Sequence, residues 1–253
     1  ADVAGTTSAT TPRVVARVAK SGAVDTSTLL DAAFDEKSVR AAATADGTAF
    51  WVSGENGNGS TGGIYYVAQG TTGGTQILAT PENLRAVGLF GGQLYADTQS
   101  GAGGNTLRIF SVGAGAPTTA MQTGTQLAGI TNANTTPHGF VMLDRDAAVA
   151  GVDVMYVADT RGLANGGGVQ KWKLAGGSWS LAATFKSGLT AAPVNVAAKP
   201  VGTDVVVVCV TLDNPAKVVR FVDDGVNVDP VGVTLATGTA NASQYRGVAV
   251  APE

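Results

Sequence analysis

Arginine, aspartate and a single histidine recur along the chain at intervals that a binding or catalytic surface could use. Arg40, Arg85, His138 and Asn195 are separated by 45, 53 and 57 positions, and Arg246 follows 51 residues later. Asp97, Asp159 and Asp213 recur alongside them, with Glu55 near the first arginine. Guanidinium groups grip carboxylates and phosphates through paired N–H donors, and carboxylates pair with them or hold hard cations. Converging on one mouth, these residues would form a polar funnel for an anion, a sugar or a metal ion. The competing reading is an Arg–Asp network that ties structural units together, each buried charge offset by its partner.

Other chemistries find fewer of their parts. His138 is the only imidazole, it lies between Pro137 and Gly139, and no G-x-S-x-G elbow is present. A nucleophile–base pair therefore has little to build on, and His138 reads as a member of the ring. Cys209 falls inside the apolar run 205–210 and reads as a small buried hydrophobe. One histidine and one cysteine cannot make a zinc finger, a disulfide or a multi-histidine copper site within the chain. The segment GENGNG at 54–59 matches a dinucleotide fingerprint only loosely and has no helix after it. Asp144, Asp146 and Asp153 offer hard oxygen ligands for calcium, although their spacing is not that of an EF-hand loop.

The elements that must position these residues follow from a repeat. Four segments, 38–80, 83–122, 137–185 and 193–237, share one template: an entry strand, a second strand, a turn, then third and fourth strands. Most of the turns are rich in Gly, Asn or Asp. Alternating strands at this period predict four-stranded antiparallel blades, and hence an all-β propeller occupying 1–253 as one domain. A β-sandwich is the competing architecture. The stretch 27–45, rich in Ala, Leu, Glu and Lys, has helix propensity, yet the repeat predicts strand, loop, strand there. In each blade the entry strand and the turn after the second strand open on one face, which would gather the arginines and aspartates around a channel mouth. Trp51, Tyr95 and Tyr156 occupy equivalent second-strand positions and are expected to fill space between blades.

The ends do not make whole blades. RVVARV (13–18) and VDTSTLL (24–30) read as third and fourth strands, and YRGVAVAP (245–252) as a first strand. Either the ends join in one incomplete fifth blade, or a second chain or cleaved N-terminal segment supplies the missing strands.

Composition narrows the setting. Charged residues make up 14% of the 253, hydrophobic residues 44%, and there are 35 glycines, which suits a globular chain. The net charge of −3 argues against a general nucleic-acid binder. No window is apolar for long enough to insert in a membrane as a helix. The chain starts at Ala1 without a charged n-region and apolar core, so a mature or trimmed chain is expected. Scarce Lys with abundant Gly, Thr and Ala fits secretion. Sequons at Asn58, Asn134 and Asn241 permit glycosylation, at a frequency that chance would give.

The segments LYADT (94–98), GVDVMYVADTRG (151–162) and YRGVAVAP resemble secreted β-propeller proteins of bacteria and algae, within the broad NHL and gluconolactonase-like class. These are blade-building motifs. The resemblance implies a parent of six or seven blades and carries no activity to particular residues. The expected function is a secreted, non-catalytic binding or structural module of a surface or matrix, with a polysaccharide or anionic ligand and no cofactor. The alternative is a calcium-dependent lactonase or hydrolase with its site at the channel mouth.

Overall fold

The computed structural model describes residues 3–99, 107–240 and 245–250. The architecture is the blade repeat of a β-propeller: four antiparallel four-stranded sheets, with almost no helix. The chain divides into two compact units, Ala1–Gln126 and Leu127–Glu253, with two of these blades in each.

The first unit opens with a two-stranded sheet, β1 (Arg13–Val18) and β2 (Val24–Leu30), with the bounds that the sequence predicts. One blade follows, from β3 (Val39–Ala43), β4 (Ala49–Gly54), β5 (Ile64–Ala68) and β6 (Thr75–Leu78). The next comprises β7 (Val87–Phe90), β8 (Gln93–Asp97), β9 (Ile109–Val112) and β10 (Gly124–Gln126). Between β7 and β8 only Gly91 and Gly92 turn the chain, at φ 56° and 77°. Both angles lie in the left-handed region, which matches the strand twist and which only glycine enters freely.

The second unit repeats the plan with longer strands. Its blades are β11 (Pro137–Leu143), β12 (Val154–Asp159), β13 (Gly168–Ala175) and β14 (Ser178–Phe185), then β15 (Pro193–Val201), β16 (Asp204–Thr211), β17 (Lys217–Asp223) and β18 (Val233–Thr237). Each sheet is a simple meander in chain order.

Period-2 patterning explains where the core lies. Alternate residues of the inner strands face the neighbouring blade of the same unit, so apolar clusters form between sheets. One cluster joins Tyr156, Val169 and Phe185 to Val207, Cys209, Val219 and Phe221. Another joins Trp51, Ile64 and Ile77 to Leu84, Leu94, Ala96 and Phe110. Trp51 and Tyr156 thus pack between blades, as their second-strand positions suggest. Cys209 is fully buried, and burial pushes its thiol up to about 12, so it stays protonated and inert.

Tertiary packing overrides helix propensity at 27–45. Leu29 lends both its N–H and its carbonyl to the 71–73 loop, and Leu30, Ala33 and Phe34 are buried. Phe34 takes a left-handed φ of 52°, which turns its carbonyl toward the guanidinium of Arg13. Arg13 is 1% exposed, and its N–H groups reach oxygens of Thr6, Thr11, Phe34 and Lys37. Burial lowers its pKa, partly countered by the charge of Asp35.

The expected C-terminal strand is corrected. Residues 245–250 form no strand and are mostly exposed; residues 251–252 of that segment lie outside the described residues. The Val248 N–H donates to a side-chain oxygen, Asn195 Oδ1, at 2.9 Å. A side-chain acceptor cannot set up the repeating ladder a strand requires.

Candidate functional site

The ring residues fall in both units. Arg40 and Arg85 belong to the first, and His138, Asn195 and Arg246 to the second. Each set has its own geometry.

In the first unit the entry strands and second-strand ends do bring the expected residues together. Arg40, in β3, donates from Nη2 to Glu55 Oε1 at 2.6 Å, just past the end of β4. Its Nη1 reaches into the adjoining blade, to Asn83 Oδ1 at 2.5 Å and the Leu84 carbonyl at 2.9 Å. Thr98 Oγ1 donates to the Asn83 carbonyl at 2.7 Å, which fixes that loop over the end of β8. Asp97, the last residue of β8, is fully buried and accepts the Ala86 N–H at 2.6 Å on Oδ1.

Two buried polar atoms beside these bonds have no partner: Asp97 Oδ2 and Arg85 Nε. Ser53 Oγ is a third, next to Gly54, whose carbonyl accepts the Leu84 N–H at 2.9 Å. Burial pushes the Asp97 carboxyl up to about 7, against the pull of the Ala86 N–H and the charges of Arg85 and Arg40. Arg40 is shifted down by burial and by the like charge of Arg85. Glu55 feels burial raising its pKa, but the Ser38 N–H and Arg40 outweigh it and hold the carboxyl below its usual value.

Sequence reasoning missed Arg108. It is 7% exposed and lies one residue beyond the Asp97–Ile109 pair, with its carbonyl accepting the Thr98 N–H. Its Nε is also buried without a partner, and burial lowers its pKa. The signal was present in LRIF, a lone cation at the head of an apolar strand. The charges that meet at this end of the unit are the guanidiniums of Arg40 and Arg85 and the carboxyls of Glu55 and Asp97. Burial favours the protonated form of Asp97, which tips the local balance toward positive charge. Arg40, Arg85 and Glu55 are partly exposed and give solvent access to it.

The second unit spends its acids locally. Asp159 ends β12, fully buried, and is gripped by Arg161 through Nε and Nη2, the latter at 2.8 Å, and by the Arg161 N–H. Arg161 also caps carbonyls of Ala133, Asn134 and Gly166, so the pair builds a loop. Asp213 lies two residues past β16 and accepts from Thr190 and Thr211 hydroxyls, with Lys217 Nζ at 3.9 Å. His138 Nδ1 lies 2.9 Å from the Val194 carbonyl; since a carbonyl only accepts, Nδ1 carries the proton. That bond ties β11 to the next blade. Asn195 holds Val248, as above, and Arg246 is exposed.

The three acids read as calcium ligands do not converge. Asp153 accepts the Arg145 N–H at 2.6 Å, Asp146 accepts the Ala148 N–H, and Asp144 is exposed. These bonds shape the turn between β11 and β12. Among the described residues, no three His, Cys, Asp or Glu side chains gather as a metal-holding group. Of the sequons, Asn58 is exposed, whereas the Asn134 amide is engaged with Thr131 and Gly129. Asn241 lies outside the described residues. Among those residues, no helix is long and apolar enough to cross a membrane.

Neither a protein-family model nor a curated protein matches the chain, so the β-propeller blades and the polar cluster stand on the structure alone.

Proposed function

We propose that this chain is a secreted, non-catalytic propeller, a module of an extracellular surface or matrix that binds an anionic polysaccharide through the Arg40–Arg85–Asp97 end of its first unit. One observation carries the proposal: a partly exposed excess of guanidinium groups over a buried carboxyl that burial has pushed up to about 7. A sugar carboxylate would accept from the guanidiniums, and ordered water would meet the buried, unfilled Arg85 Nε and Asp97 Oδ2. The likeness of LYADT and GVDVMYVADTRG to NHL and gluconolactonase-like propellers accords with an extracellular setting. Equilibrium binding to a panel of acidic and neutral polysaccharides tests it. Acidic members should bind, and Arg85→Gln should weaken them by about tenfold. Equal binding of neutral and acidic members, or an unchanged Arg85→Gln variant, would remove the proposal.

A second reading draws on the same carboxyl, because a group near 7 suits general acid–base work in a calcium-dependent lactonase or hydrolase. Full burial of Asp97 beneath the arginines weighs against contact with a reacting bond. A panel of lactones and phosphoesters decides: turnover abolished by chelation would put the enzyme in place of the binding module.

The proposal also includes a partner strand. Among the described residues β1 pairs only with β2, while every other sheet has four strands, and Val14 and Val18 are 46% and 67% exposed. A second chain or a cleaved N-terminal segment completes that sheet.

A further inference from the structure

The two blades of the second unit also meet at the end of their strands opposite Asp159. There β11 gives way to the turn carrying Arg145, the hairpin Gly202–Thr203 joins β15 to β16, and β17 runs into the loop after Asp223. A cavity of about 200 Å³ opens between these turns, lined by Arg145, Tyr156, Lys171, Lys173 and Asp223 among others.

Its inner wall is built from buried groups. Lys171 Nζ lies 2.6 Å from Asp223 Oδ2, with the two side chains 9% and 2% exposed. The Tyr156 hydroxyl donates to the same oxygen at 2.5 Å, and Asp223 Oδ1 accepts the Gly225 N–H. Asp223 is therefore fully engaged and neutralised by one lysine. Lysine has three N–H donors, and this ion pair uses one. At the rim, Arg145 Nη2 is anchored to the Thr203 carbonyl at 2.8 Å and holds its charge over the opening. Its field reaches the Tyr156 hydroxyl. Lys173, two residues along β13 from Lys171, is exposed on the same side. The nearby Asp224 carboxyl is turned to the N–H groups of Val226 and Asn227 and is not part of the lining.

Lys171 is balanced by Asp223 and feels the charge of Asp224 as well, so two uncompensated cations, Arg145 and Lys173, face a space large enough for a sulfate, phosphate or carboxylate group. An inter-blade tether alone would need only Lys171, Tyr156 and Asp223. We propose that this cavity is an oxyanion site, separate from the arginine cluster of the first unit. The ligand's oxygens accept from Lys173, Arg145 and the unused donors of Lys171.

Calorimetric titration of the full chain with inorganic sulfate, inorganic phosphate and acetate at low ionic strength tests it, each as a separate arm. One saturable site per chain is expected for at least one of the three. Lys173→Gln and Arg145→Gln should each raise its Kd by about tenfold, with unchanged circular dichroism. Lys171 is left intact, because its loss would strand Asp223 and could unfold the unit. Arg85→Gln, which weakens the first site, should leave this titration unchanged. The arm that binds identifies the class of oxyanion. No saturation below about 10 mM in any arm, or binding lost in Arg85→Gln and kept in both rim variants, would overturn the proposal.

Discussion

Asp97 shows how a single buried carboxyl couples the fold to pH. Its folded pKa is raised from 3.8 to about 7, so the native state holds the proton more tightly than the unfolded chain. Its favourable contribution is complete below about pH 4 and is lost as pH rises through 7, amounting to about 4 kcal/mol at most. Asp97→Asn should therefore flatten the decline of unfolding free energy between pH 4 and 8, measured by urea denaturation. In the buried Lys171–Asp223–Tyr156 group the lysine and the tyrosine hydroxyl both meet one carboxylate oxygen. Tyr156→Phe removes one hydrogen bond to a charged acceptor and should cost about 2 kcal/mol by the same method. The positions of Asp97 and Asp159 at second-strand ends were legible in the repeat. What distinguishes them was not: Asp159 meets Arg161 two residues on, while Asp97 Oδ2 is left open. Both outcomes depend on loop conformations that period and composition do not encode.

Among the elements, strands bounded by strong turn chemistry were the most legible. β1 and β2 begin and end where RVVARV and VDTSTLL do, because Gly22 supplies the turn between them at φ 84°. The segment at 245–250 has strand-like alternation, yet Val248 packs against Val194 and donates its N–H to the Asn195 side chain, so the pattern alone misled. Close backbone approach also defines elements. A Cβ at Gly63, where φ is +84°, would sit 1.9 Å from the Leu78 carbonyl oxygen. Gly63→Ala should separate the head of β5 from the end of β6 and cost about 2 kcal/mol or more, seen as a lowered thermal midpoint. Loss of Phe221, which is fully buried between two sheets of one unit, should cost about 3–5 kcal/mol when truncated to alanine.

At the scale of the whole molecule, the proposed function rests on charge placed at blade ends by a repeat that is otherwise apolar. The chain's net charge of −3 conceals the paired guanidiniums of Arg40 and Arg85 in the first unit, which is why composition argues against a general nucleic-acid binder and yet leaves an anionic ligand in view. The most direct measurement is a titration with one acidic polysaccharide at pH 6 and pH 8, in the wild type and in Asp97→Asn. Arg40 and Glu55 keep their charges over this range, and Asp97 changes. The wild type should bind several-fold more tightly at pH 6, where Asp97 is protonated and the guanidiniums are uncompensated, and Asp97→Asn should bind alike at both. Saturable binding absent at both pH values, or a pH dependence that persists unchanged in Asp97→Asn, would contradict the assignment of the ligand to this cluster.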